Sequence, residues 1–202
     1  MSSYIKRMLN AYGIFGILQL VIFKVRAKML FPNARLIRFP IRIRGKKYIS
    51  IGEKFTTGVN CRIDALPDEP RKTVINIGRN VQINDSVHIG AVNKISIGEN
   101  VLIASHVFIT DHNHGNYDGP HQDSPFIKPM ERTLKSKPVF IEKNAWLGEY
   151  VSVLPGVRIG EGSIVGAMSV VSKDIPPYCI AVGSPARVIK VYNKKAKKWE
   201  RV

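Results

Sequence analysis

The feature that most constrains this chain is a six-residue period of aliphatic side chains. Ile141, Leu147, Val153, Ile159, Val165 and Val171 recur without a miss, and Ile77, Ile83, Ile89 and then Ile97, Ile103, Ile109 form earlier runs. The position after each is often small (Gly78, Gly90, Gly98, Gly148, Gly160, Gly166), and the position four beyond is mostly valine, alanine or serine. An amphipathic helix repeats at three and four residues. Sandwich strands recur about every eight to twelve residues without fixed phase. A period of six fits a short strand plus a corner, with one aliphatic side chain per unit aimed at a common axis. Such a corner is too tight for a bulky residue. The chain is therefore mainly β, a parallel β-helix.

The phase slips by two residues between Ile89 and Ile97 and breaks between Ile109 and Ile141. The break holds three of the five histidines, His112, His114 and His121. A long excursion from a regular solenoid is where function is expected. Upstream, residues 12–23 are apolar except for Gln19 and the glycines, lie between basic flanks (Lys6, Arg7, Lys24, Arg26, Lys28) and read as helix. The run is short of the roughly 20 apolar residues of a membrane span. An interfacial helix and a helix packed on the body or a partner subunit both remain open. Lys24 and Arg26 argue against a cleaved signal peptide. Three segments are expected: an N-terminal amphipathic helix and basic connection over 1–48, a β-helix over 49–186 with an active-site loop at 110–138, and a basic tail over 187–202.

Charge follows the same division. The formal net charge is +16, yet residues 1–52 carry eleven Lys and Arg with no acid, and residues 187–202 carry seven with one acid. Residues 53–186 are near neutral, with thirteen basic and fourteen acidic residues. Basic ends point to an anionic surface or ligand. Aromatic residues are not interleaved with them as single-strand nucleic-acid binding would favour, so no nucleic-acid partner is expected. Cys61 and Cys179 lie far apart in unlike sequence and read as buried, reduced thiols.

The hexapeptide pattern, TDHNHGNYDG at 110–119, KNAWLGEYVSVLPGVRIGEGSIVGAMSVVSKDIPP at 143–177 and AVGSPARVIK at 181–190 together resemble the maltose and galactoside O-acetyltransferase group. Within it the likeness is to bacterial O-acetyltransferases of capsule and O-antigen polysaccharides. The resemblance implies a left-handed coil, which periodicity alone does not choose. It also implies a homotrimer with sites between neighbouring coils, and acetyl-CoA as donor to a glycan or lipid-linked oligosaccharide. The expected setting is the cytoplasm, peripherally at the inner face of the plasma membrane.

Acetyl transfer from a thioester to a hydroxyl needs a base for the hydroxyl proton and a donor for the tetrahedral oxyanion. Imidazole suits the first role at neutral pH. Aligned on the family without gaps, His114 takes the place of the catalytic histidine and Asn84 that of an amide orienting the acceptor. His112, Asp111 and Tyr117 are expected to face the acceptor, with Asp111 also a candidate to orient a histidine. The resemblance sets Trp146 and Gly148 beside the pantetheine, Ala167 and Ser172 on that arm, and Arg187 and Lys190 near the nucleotide phosphates, where fixed cations belong. Glu149 departs from the small residue usual in the sugar-acetylating relatives. A zinc enzyme needs three converging imidazoles; the phase slip puts His88 and His106 out of register, and no metal is expected. The alternatives are N-acetylation of a nucleotide-activated amino sugar and a noncatalytic hexapeptide scaffold.

Overall fold

The computed structural model describes residues 3–67 and 73–202. After the first helix the chain visits three parallel sheets in strict rotation. The first sheet contains Ile41–Arg44, Cys61–Ala65, His88–Ala91, Phe108–Thr110, Ser152–Val153 and Val170–Val171. The second contains Ile49–Ile51, Ile75–Ile77, Ile95–Ile97, Val139–Ile141 and Arg158–Ile159. The third contains Thr56–Thr57, Gln82–Ile83, Leu102–Ile103, Trp146–Leu147, Ile164–Val165 and Cys179–Val182. This is the parallel β-helix that the six-residue period requires.

The ladder is the core. Ile63, Ile89, Ile109, Val153 and Val171 stack in register in the first sheet, and Ile83, Ile103, Leu147 and Val165 in the third, each almost wholly buried. Burying one such side chain contributes about 1.5–3 kcal/mol. The corners are as cramped as the small residues implied. A Cβ on Gly98 would lie 2.5 Å from the Lys143 amide nitrogen, and one on Gly78 would lie 2.8 Å from the Gly98 carbonyl carbon. One corner instead stacks asparagines. Asn80, Asn100 and Asn144 all take positive φ, 57°, 57° and 61°, which Asn tolerates better than most residues. Their amides bond from coil to coil, Asn80 to Asn100 at 3.0 Å and Asn100 to Asn144 at 3.2 Å.

The two-residue phase slip survives as a coil of altered length. His88 pairs with Phe108, while His106 stacks on Tyr150 with ring centroids 4.6 Å apart. His88 and His106 thus do not share a column. Both cysteines are free and buried, and burial pushes the Cys61 thiol up to about 11.

Two boundaries differ from the sequence reading. The coil begins before residue 49, because Ile41–Arg44 runs in register with Cys61–Ala65 and Leu36 bridges Thr56. Outward arginines and a 3₁₀ turn at Lys46–Tyr48 replace the usual small corner there, which hid the period. The last residues are not a tail. Arg187–Asn193 lies antiparallel on Cys179–Val182, and Lys198–Arg201 folds back on it, extending the third sheet to eight strands. The Asn193 side chain closes that hairpin by accepting from the Lys195 and Ala196 amides.

The helix Ser3–Leu30 kinks at Gly13, where φ is 62°. Phe23 and Ala27 bury against the coil, with the Phe23 ring 5.7 Å from Phe39 and the Arg26 guanidinium 4.0 Å over the same ring. Ile14, Phe15, Leu18, Ile22, Val25 and Met29 stay exposed. By length and composition Lys6–Leu30 is long and apolar enough to cross a membrane, more than the 12–23 run alone implied.

Candidate active site

The excursion at 110–138 leaves the first sheet and returns to the second, and it opens as a two-stranded ribbon. His112, Asn113 and His114 pair antiparallel with Ser136, Lys135 and Leu134. Alternation along a strand puts His112 and His114 on one face and Asn113 on the other. The two imidazoles stand edge to face with centroids 6.4 Å apart. Both line a cavity of about 560 Å³ that runs over the first sheet past Thr110, Phe108, Gly90 and His88 to Asp64, Arg62 and Arg44.

Behind His112 sits Asp111, with no exposed surface. One carboxylate oxygen accepts from the Val92 amide at 3.0 Å and from His112 Nδ1 at 2.9 Å. The other accepts from the Asn93 and Lys94 amides at 2.8 and 2.7 Å. Burial pushes this carboxyl up, but His112 and the three amides outweigh it and hold it below the usual carboxylate value. The expected contact of Asp111 with acceptor is therefore corrected: its oxygens are committed within the fold. It ties the root of the ribbon to residues 92–94 and fixes His112 with Nδ1 donating, leaving Nε2 to accept.

His114 is exposed at the cavity mouth. Its carbonyl accepts from the Tyr117 hydroxyl at 2.5 Å, and Arg132 Nη1 donates to that hydroxyl at 2.7 Å. Arg132 also reaches the Ile127 carbonyl through Nε and Nη2, so a single guanidinium braces the excursion around His114. Tyr117 is not on the imidazole cavity. With Ser172 it lines a separate one of about 240 Å³ beside Leu154 and Pro155.

The other sequence-derived residues lie elsewhere. Asn84 sits at the corner from the third sheet to the first and is absent from the imidazole cavity. Its side-chain oxygen accepts from Gln82 at 3.2 Å and its carbonyl takes the Cys61 thiol. Trp146 is half-exposed on the third sheet, and Gly148 packs under Ala167, where a Cβ would meet the Ala167 nitrogen at 2.6 Å. Arg187 and Lys190 stand in the terminal hairpin, with Arg187 exposed and Lys190 partly so. Within one chain Trp146, Gly148, Arg187 and Lys190 thus lie outside the imidazole cavity, on the third sheet, its corner and its hairpin, while Ser172 follows a first-sheet strand and lies beside Tyr117.

Sequence reasoning missed one cluster. Asp64, 4% exposed, receives Arg44 through Nε at 2.6 Å and Nη2 at 2.8 Å, and Arg62 through Nε at 2.5 Å; His88 Nε2 lies 3.4 Å away. The Arg44 hydrogen bond, aided by Arg62 against the effect of burial, lowers the Asp64 carboxyl to about 2. Burial, with the Arg62 charge beside it, lowers the His88 imidazole. The four residues are dispersed in sequence, and only the coil offset between Ile43, Ile63 and Ile89 would have aligned them.

Comparison with known proteins agrees with this architecture. The profile of the bacterial transferase hexapeptide family (six repeats) matches residues 138–173. A protein of Escherichia coli K12 that carries the name lipopolysaccharide biosynthesis O-acetyl transferase WbbJ is 46% identical over 200 residues, covering 98% of this chain and 99% of its own. Among solved structures, AntD, an N-acyltransferase from Bacillus cereus in complex with dTDP-4-amino-4,6-dideoxyglucose and coenzyme A, superposes with a TM-score of 0.66 at 26% identity, covering 81% of this chain and 83% of that one. A maltose O-acetyltransferase from Clostridium difficile 630 superposes with a TM-score of 0.57 at 26% identity, covering 93% and 89%. With a rotating three-sheet coil, an imidazole-bearing ribbon and a full-length likeness of this degree, the chain belongs to the hexapeptide-repeat acetyltransferases, enzymes built on a left-handed parallel β-helix.

Proposed function

We propose that the protein transfers acetyl from acetyl-CoA to a sugar hydroxyl of a bacterial surface polysaccharide, of the lipopolysaccharide type, or of its lipid-linked precursor. The observation that carries this reading is the ribbon that sets His112 and His114 on one face over a cavity of sugar-binding size. His114 is the base: it stands free at the mouth and occupies the family's catalytic position. A thioester is activated enough for direct attack by the acceptor oxygen, so no enzyme nucleophile is required. His114 takes the hydroxyl proton as that oxygen attacks, and coenzyme A leaves as its thiol. One observation favours a second assignment, His112 as base: its 2.9 Å contact with Asp111.

The donor lies along the late coils in this proposal, with Trp146, Gly148, Ala167 and Ser172 on the pantetheine and Arg187 and Lys190 on the phosphates. A homotrimer brings the ribbon of one subunit to the donor face and Asn84 of the next. Incubating the purified protein with acetyl-CoA and candidate acceptors, and weighing the products, tests the activity. The expected product carries one acetyl group that mild alkali removes, as it removes esters. An alkali-stable product would mark an amide and select N-acylation, the reaction of AntD. No acetylated product would leave only a scaffold.

The N-terminal helix bears on where this happens. Its exposed stripe of Ile14, Leu18, Ile22, Val25 and Met29 keeps helical spacing beside Lys24, Arg26 and Lys28, the pattern of a helix lying in a lipid interface. The proposed site is the cytoplasmic face of the plasma membrane. The full chain is expected to co-float with anionic vesicles and, after removal of residues 1–30, to stay in solution; equal flotation of both would refute the attachment.

A further inference from the structure

We infer that the end of the imidazole cavity remote from His114 is an anion subsite, formed by Arg44 and Arg62 on the buried Asp64, that holds a phosphate or diphosphate group of the acceptor. The inference rests on the acetyltransferase reading and narrows its substrate to phosphate-linked sugars.

The charge arrangement is the first argument. Arg42 and Arg62 are direct cross-strand partners in the first sheet, and Arg44 is the partner of Asp64. Like charges placed opposite one another destabilise a sheet, and two guanidiniums, Arg44 and Arg62, share the one Asp64 carboxylate. Asp64 engages both donors it takes from Arg44 but only Nε of Arg62. Among the described residues both terminal nitrogens of Arg62 and one of Arg44 have no acceptor. The planar fork of arginine fits phosphate oxygens in pairs. The buried carboxylate fixes the two forks and leaves their outer edges to a ligand.

Continuity with the imidazoles is the second. Gly90 lies in the strand between the two ends, with Asp64 and Thr110 as its cross-strand partners. A Cβ built on it would lie 3.6 Å from His88 Nε2 and 3.8 Å from His112 Cε1. Both rings therefore border one open channel floored by glycine, and among the described residues no side chain divides it. Apolar walls from Leu66, Phe108, Leu134 and Leu154 flank it, as the carbon faces of a sugar require. A sugar beneath His114 would direct its anomeric phosphate toward the arginines.

The test uses the full-length protein saturated with coenzyme A, so that the donor's own phosphate site is filled. Inorganic pyrophosphate is titrated by calorimetry into wild type, Arg44→Gln, Arg62→Gln and, as a control at the hairpin turn, Lys197→Gln. Wild type and the control are expected to bind alike, and each arginine variant about tenfold more weakly, the loss of one charged hydrogen-bond pair. Thermal melting establishes that each variant is folded. A wild type that does not bind, or four equal affinities, overturns the subsite. Acetyl transfer to a nucleoside-diphosphate sugar and to a short polyprenyl-diphosphate sugar then distinguishes the two sources of diphosphate, and the variants are expected to raise KM for the accepted one. Pyrophosphate binding that depends on the arginines, without transfer to any sugar, would preserve the subsite and reject the transferase reading. Transfer with unchanged KM in both variants would do the reverse.

Discussion

Replacing His114 by alanine is expected to lower kcat for acetyl transfer by about a thousandfold, within the range that a positioned general base supplies, while the fold stays intact. His114 is exposed and contributes to the structure through its carbonyl, which accepts from Tyr117, and through ribbon pairing with Leu134. Neither contact uses the ring, so a melting temperature close to wild type is expected beside the loss of activity. Replacing His112 by alanine is expected to cost less, about ten- to a hundredfold, because the ring then acts on the placement of acceptor. The opposite ranking would transfer the base role to His112 and make Asp111–His112 the working pair.

The second large effect concerns stability. Asp111→Asn is expected to lower the unfolding free energy by about 3 kcal/mol or more, the cost of breaking a buried, multiply bonded charge. An amide offers one acceptor oxygen where the carboxylate offers two, and its NH₂ would face either the Asn93 and Lys94 amides or Val92 and His112. The pH dependence has a definite sign. The folded carboxyl titrates below its unfolded value, so its stabilisation is present in full above the unfolded pKa and is lost as pH falls through the folded one. Chemical denaturation of wild type and variant should therefore differ most near neutrality and converge in acid. A gap unchanged between neutrality and strong acid would show that ionisation of Asp111 is not its source.

The coil was legible because each hexapeptide carries one inward aliphatic residue and one cramped corner, and both repeat in register. Ile141 to Val171 shows this without interruption, and the structure stacks those residues as expected. The ends were less legible for physical reasons. In Ile41–Arg44 the outward residues are arginines and the corner is a 3₁₀ turn, so an alternating strand stands where the period was sought. The terminal strands are antiparallel, and a six-residue phase says nothing about a hairpin. At the site, the histidines drew notice through the length of the excursion, but the burial of Asp111 depends on residues 92–94, one coil earlier. The Asp64 cluster was hidden for a related reason. Arg44, Asp64 and His88 are adjacent only when coil lengths are known, and those lengths vary between neighbouring coils. Asn84 and the proposed donor residues lie outside the imidazole cavity, and in the proposed function a second copy of the chain brings them to it.

The central claim is that a loop imidazole meets a thioester in a groove between two subunits. A crystal structure of the full chain with coenzyme A bound tests it directly. The account predicts a trimer in which the coenzyme thiol lies within hydrogen-bonding reach of the His114 ring of one subunit, with the pantetheine running along Trp146, Gly148 and Ala167. A coenzyme bound with its thiol remote from every His114 ring, or a monomer binding it on the first sheet alone, would contradict it.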